Sequence, residues 1–225
     1  MTRRRRKAPA PRSDTRKNRG SYQRHDAYYH KAKAAGYAAR SVYKLEEIQQ
    51  RFKLIKKGMR VLDLGCAPGA WLQLAAQIVG EQGRVVGIDL NEIKLNLPAW
   101  VQTVAADIRE SSAHKLTNLA GGDFDVALSD LAAHTTGIRS VDQARTTQLI
   151  EDAFALASQV LKPGGSFACK IFDGPDVKLF IKQLEQRFSR VQILRPQATR
   201  SHSKEIYLVA KTFRPQRSQT KASLA

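Results

Sequence analysis

Cysteine is almost missing from these 225 residues; only Cys66 and Cys169 occur. Two isolated thiols in apolar, strand-like surroundings exclude a disulfide framework and a cysteine-based metal centre, and they read as small core residues of a reducing compartment. No His/Cys/carboxylate group has ligand spacing, so no metal is expected. Long apolar runs are absent too. Nothing approaches the length of a membrane span or of a signal-peptide core, which points to a cytoplasmic protein with no membrane partner. There is no internal repeat. Acidic residues are scarce, 20 Asp+Glu against 38 Lys+Arg, a formal net charge of +18. A surplus of that size says little about fold but points to a polyanionic partner, bound by neutralising phosphates and releasing counterions.

The positive charge is clustered. Arg3, Arg4, Arg5, Arg6, Lys7, Arg12, Arg16, Lys17 and Arg19 stand against a single acid, Asp14, at the start of the chain. With no apolar face this segment is not a transit peptide, and residues 1–20 read as a disordered basic arm that touches RNA. Residues 212–225 form a second basic, polar tail. Between them, residues 21–211 make one domain, since 42% hydrophobic residues suffice to bury a core.

From residue 60 onward, strand and helix patterns alternate. Strands are expected at 60–64, 84–88, 101–105, 124–129, 165–171, 191–194 and 205–211. Helices are expected over much of 21–51, with Val42, Leu45 and Ile48 on one stripe, and at 70–79, 112–119, 142–161 and 176–188. In the 142–161 helix Asp142 is a candidate cap, and Leu149, Ile150, Ala153, Phe154, Ala157 and Val160 share one face. Lys162-Pro163-Gly164-Gly165 breaks it. Such alternation implies an α/β fold with a mostly parallel sheet covered on both faces. The last two strands have no helix between them, so they pair antiparallel. The final strand therefore begins at the rim where the parallel strands end.

The stretch DLGCAPGAW at 63–71 follows the first strand and opens a helix. Gly65 and Gly69 leave room for a ligand against the backbone. A glycine turn at the carboxyl end of the first strand is where a nucleoside cofactor docks. Neither G-x-G-x-x-G nor G-x-x-x-x-G-K-[ST] is present, so the turn suits a ligand without pyrophosphate, such as S-adenosyl-L-methionine. Asp89, ending the second strand, is placed to accept from a ribose diol, and Asp107, after the third, from an adenine amino group. Each is equally placed to cap a helix. Two roles also fit Trp71, a pocket wall or a core aromatic.

Asp130 ends the fourth strand, Lys170 lies near the end of the fifth, and Glu205 begins the last. The topology puts all three on one rim beside the glycine turn. Lys44, on the N-terminal helix, has no such placement from sequence alone. Lys170 stands in Phe167-Ala168-Cys169-Lys-Ile171-Phe172 and must desolvate its charge unless paired. Burial and a second nearby cation lower a lysine pKa, which suits a general base. A structural ion pair with Asp130 or Glu205 is the other reading.

These residues, in ARSVYKLEEI, DLGCAPGAW, the Ser129-Asp130 pair, KPGGSFACKIF and SKEIYLVA, resemble the FtsJ/RrmJ family of ribosomal-RNA ribose 2′-O-methyltransferases over roughly residues 21–211. The resemblance implies a Rossmann-like, seven-stranded methyltransferase sheet with its last strand antiparallel. It implies a Lys44, Asp130, Lys170 and Glu205 catalytic tetrad, with S-adenosyl-L-methionine contacted by Gly69, Trp71, Asp89, Asp107 and Asp130. By the same resemblance Lys170 takes the proton, Lys44 acts on Lys170 by like charge, Asp130 orients it, and Glu205 holds the lysines or the ribose. The substrate implied is a uridine of large-subunit, 23S-type ribosomal RNA, as RNA or assembled subunit, methylated by a monomer. Where the family has SDMAPN this chain has SDLAAHTTG, with Ala133 and His134 in place of Pro-Asn. Arg24, Lys31, Lys33, Arg40 and Arg200 are expected on the RNA. Tyr28, Tyr29 and Tyr37 either stack on bases or anchor the first helix. The competing readings are a transfer-RNA or messenger-RNA ribose methyltransferase and a non-catalytic RNA-binding assembly module. A nicotinamide oxidoreductase is disfavoured by the missing third glycine.

Overall fold

The computed structural model describes residues 27–132, 139–200 and 203–216. The arm expected at 1–20, most of the tail at 212–225, and Ala133 and His134 lie outside them.

Apolar runs of strand length alternate with amphipathic helices, and the chain follows the pattern. Strand β1 (Arg60–Leu64) is flanked by β2 (Arg84–Asp89) and β4 (Phe124–Ser129), with β3 (Val101–Ala105) outside β2 and β5 (Leu161–Phe172) outside β4. β7 (Glu205–Phe213) inserts between β5 and β6 (Phe188–Leu194), giving a seven-stranded sheet of order β3-β2-β1-β4-β5-β7-β6. β7 pairs antiparallel with both β5 and β6, and the other pairings are parallel. The order reverses between β1 and β4, and a reversal point of this kind leaves a crevice at the carboxyl ends of the two strands.

Helices cover both faces. α2 (Val42–Phe52) and α3 (Ala70–Val79) bury Leu45, Ile48, Trp71 and Leu72 against Val61, Leu128, Ala168 and Tyr207. On the opposite face α4 (Ala113–Ala120), α5 (Arg139–Val160) and α6 (Val177–Arg187) pack Leu116, Ile150 and Phe180 onto Leu62, Ala127 and Phe167. The period-2 alternation of each buried strand sets which side chains meet which layer.

Three expectations need correction. The helix read over 21–51 is two helices: α1 (Ala27–Ala34) ends at Gly36, whose φ of +76° is a left-handed turn, closed by the Tyr37 amide donating to the Ala32 carbonyl at 2.9 Å. A glycine in that conformation ends a helix regardless of the alanine content on either side. Asp142 is not a cap, because α5 begins three residues earlier at Arg139. The Lys162–Gly165 breaker does end α5 but is not a loop outside the sheet. β5 starts at Leu161, and the register slips between Phe124↔Leu161 and Val126↔Ser166. A bulge absorbs the extra residues.

Candidate active site

The site is assembled from strand ends. Leu64 of β1 pairs with Ser129 of β4, so the turn after β1 lies beside Asp130. Gly65 and Gly69 both have positive φ, +78° and +110°. A β-carbon on Gly65 would stand 2.5 Å from Leu131, and one on Gly69 2.5 Å from Leu95. Both positions therefore require glycine for conformation and for close packing. Asp89, at the end of β2, accepts from the Ala67 amide at 3.0 Å and from the Asn91 amide at 2.8 Å, which ties the turn to the second strand. The Asn91 side-chain amide also donates to Oδ1 at 3.0 Å, so Oδ2 is the oxygen that keeps lone-pair capacity for a ligand hydroxyl. Asp107 is gripped by Arg109: the guanidinium Nε lies 3.0 and 3.1 Å from its two oxygens, and the Arg109 amide donates at 2.9 Å. The Arg109 side chain, followed by its amide, holds the Asp107 carboxyl down to about 2.

Trp71 is buried. Its indole N–H donates to the Ser41 carbonyl at 2.9 Å, and its ring lies 5.8 Å from that of Tyr207. Of the two roles open to it, these contacts occupy the core role.

Lys170 is only 6% exposed. Its amine donates to the Asp130 carbonyl at 2.7 Å and lies 3.0 Å from the Asp130 carboxylate. Lys44, 8% exposed, bonds Glu205 at 2.6 Å. Both buried charges are therefore partnered, as their desolvation demands. Burial works to raise the Glu205 carboxyl, but the Lys44 hydrogen bond and the charges of Lys44 and Lys170 outweigh it and leave that carboxyl below its ordinary value. Lys44 reaches the rim because α2 packs over β7, where its ammonium lies 5.8 Å from the Tyr207 ring. The four residues read from sequence as a tetrad thus form two ion pairs side by side.

Sequence reasoning missed the residue that joins the pairs. Tyr207 is fully buried, and its hydroxyl donates to the Asp130 carboxylate at 2.7 Å. Burial, then the nearby Asp130 charge, pushes its phenol well above the usual value, so it stays a donor. The available signal was the two-residue spacing from Glu205, which puts both on one face of β7. Asp63 was missed as well. It lies on β1 in the layer of Val61, fully buried, and neither carboxylate oxygen has a hydrogen-bonding partner among the described residues.

The surface aromatics divide. Tyr28 lies against Tyr43 with ring centroids 5.5 Å apart, and the Tyr37 hydroxyl donates to Gln77 at 2.9 Å. Both anchor the N-terminal helices. Tyr29 remains 47% exposed. Cys66 and Cys169 are free and buried, and burial raises both thiols. Among the described residues no cluster of three or more His, Cys, Asp or Glu could hold a metal ion, and no helix is long and apolar enough to cross a membrane.

The donor set fits a cationic nucleoside better than a phosphorylated one. Carboxylates line two strand ends, and the 63–71 turn carries no lysine or arginine. Comparison with known proteins agrees with that chemistry. The family model described as FtsJ-like methyltransferase matches residues 37–213. A protein of Desulfatibacillum aliphaticivorans named ribosomal RNA large subunit methyltransferase E is 48% identical over 193 residues, spanning 86% of this chain and 93% of its own length. One of the same name from Syntrophobacter fumaroxidans is 43% identical over 194 residues, covering 86% of this chain and 98% of its own. Among solved structures, a Plasmodium falciparum protein named as a ribosomal RNA methyltransferase superposes with a TM-score of 0.69 at 26% identity, covering 79% of this chain and 98% of that one. The chain belongs to the FtsJ-like methyltransferase family.

Proposed function

We propose that this protein transfers a methyl group from S-adenosyl-L-methionine to the ribose 2′-hydroxyl of a uridine in large-subunit ribosomal RNA, in the cytoplasm and as a monomer. The observation that carries the reading is Lys170, a buried amine fixed on Asp130 beside the glycine turn, with a second lysine–carboxylate pair next to it. The names of the relatives support the ribosomal substrate. The Lys+Arg excess supports a nucleic-acid partner.

Gly69, Trp71, Asp89, Asp107 and Asp130 are the residues that would hold the cofactor. When bound, it supplies a methyl group on a sulfonium, electrophilic enough to need no metal. A ribose hydroxyl is a poor nucleophile, so positioning and proton removal carry the acceleration. Lys170 is the group that takes the 2′-hydroxyl proton. Asp130 aims that amine through its carbonyl and carboxylate, and Tyr207 fixes the carboxylate in turn. Glu205 holds Lys44 at the rim, where its ammonium is available to the RNA backbone.

Large subunits from cells lacking the protein should accept label from methyl-labelled cofactor, and free transfer RNA should not. Lys170→Ala and Lys170→Arg should each lower single-turnover transfer by about 10²- to 10⁴-fold, the range for loss of a general base. Near wild-type transfer in either variant would assign the base elsewhere. Label entering transfer RNA instead would move the substrate to that class.

A further inference from the structure

We propose, building on the ribose methylation above, that Phe172 is the platform on which the base of the target nucleotide stacks while its ribose lies over Lys170.

β5 runs in unbroken antiparallel register with β7 from Ser166 to Phe172, with Lys170 opposite Tyr207 and Phe172 opposite Glu205. The Asp173 amide extends the ladder by donating to the Lys204 carbonyl at 2.8 Å. Side chains alternate along the pair. Cys169, Ile171, Ile206 and Leu208 pack into the layer under α5 and α6, while Ala168, Tyr207 and Val209 pack into the opposite layer. Phe172 therefore shares the face of Lys170, Tyr207 and Glu205, about 7 Å outward from Lys170 along the strand. Its β-carbon stands about 5 Å from that of Glu205 across it.

On that face every side chain inward of Phe172 is buried and engaged, but Phe172 itself is 37% exposed. It belongs to none of the apolar clusters and has no ring partner among the described residues. A lone exposed apolar side chain needs no explanation by itself. What distinguishes this one is its position. A nucleobase is bonded to C1′, and the reacting hydroxyl is on the adjacent ribose carbon. Whatever holds the base must then lie within about one strand repeat of the proton acceptor. Of the two aromatics on this face, Tyr207 is fully buried and Phe172 is the one open to a ligand. Lys204, exposed just before β7, meets this edge only through its carbonyl, and the exposed Arg195, just after β6, donates to the Ser203 carbonyl at 2.5 Å. An exposed aromatic face is the usual platform for an unstacked nucleotide. Stacking recognises the face of a base and not its edges, so Phe172 positions the nucleotide without choosing uridine over cytidine.

The test compares Phe172→Ala, Phe172→Leu and Phe172→Trp with the wild type on unmethylated large subunits, alongside equilibrium binding of single-stranded oligouridine at fixed salt. Loss of a stacking contact should raise KM for RNA by roughly 10- to 100-fold in Ala and Leu alike, and Trp should restore it. Cofactor affinity by calorimetry and the thermal midpoint should stay at wild-type values, which excludes misfolding and collapse of the cofactor pocket. Oligouridine binding should weaken in the same order. Ala and Leu within twofold of wild type in both KM and oligouridine affinity would overturn the platform, as would rescue by Leu equal to rescue by Trp. If the wild type methylates no ribose but Phe172→Ala still weakens oligouridine binding, the catalytic reading fails and the platform stands.

Discussion

Asp63 is fully buried on β1 with both oxygens unpartnered, and burial followed by the charges of Asp130 and Asp89 raises its carboxyl well above the ordinary value. The folded state therefore holds a proton that the unfolded chain releases above about pH 3.9. The stability this gives is complete below that pH and is lost as pH rises toward the folded value. Asp63→Asn, which is neutral throughout, should remove this fall. Urea denaturation at pH 5 and pH 8 should show a smaller drop in stability for the variant than for the wild type, and an equal drop would mean that Asp63 is ionised in the fold. Lys44, Asp130, Lys170 and Glu205, in contrast, each have a counter-charge within hydrogen-bonding distance. At this scale the sequence was most readable where an ionisable residue interrupts an apolar run, as Lys170 does. It was least readable at Tyr207, since a tyrosine in a buried strand looks like packing until its hydroxyl is seen on Asp130.

β7 carries the most information of any element. Its antiparallel insertion between β5 and β6 brings Glu205 and Tyr207 to the rim where β4 and β5 deliver Asp130 and Lys170. Tyr207→Phe keeps the packing against Trp71 and deletes one donor to Asp130. A buried hydrogen bond to a charged group contributes about 1.5–3 kcal/mol, so the carboxylate should lose orientation more than the fold loses stability. The expected result is a fall in kcat of about tenfold or more with KM for the cofactor within a few-fold of wild type. An unchanged kcat would remove Tyr207 from the positioning of Asp130. The antiparallel pairing was legible in the missing helix between the last two strands. The break between α1 and α2 was not, because alanine-rich composition outweighed one glycine in the pattern while Gly36 at φ +76° decides the backbone.

Across the whole molecule, positive charge is densest ahead of the site. The described domain holds the ion-paired site, while nine basic residues from Arg3 to Arg19 precede it against one acid. Removing residues 1–19 should weaken RNA binding and flatten its dependence on salt, since each phosphate contact contributes nearly one unit to the slope of log K against log salt. Methyl transfer at saturating RNA should persist. An unaltered slope would show that the arm makes no phosphate contacts.

Sequence alone determined the alternation of strands and helices, the antiparallel last strand, the glycine turn without a pyrophosphate signature, and the placement of Asp130, Lys170 and Glu205 on one rim. All of these are local properties, of period, spacing and strand ends, and the connection rules of α/β sheets fix which ends share a rim. Tertiary structure decided the rest. It brought Lys44 from α2 to Glu205 across 161 positions and gave Lys170 to Asp130. It also left Asp63 without a hydrogen-bonding partner among the described residues and Phe172 partly in solvent. Pairing, burial and exposure are relations between distant segments, and a charged residue's partner depends on which surface folding brings against it.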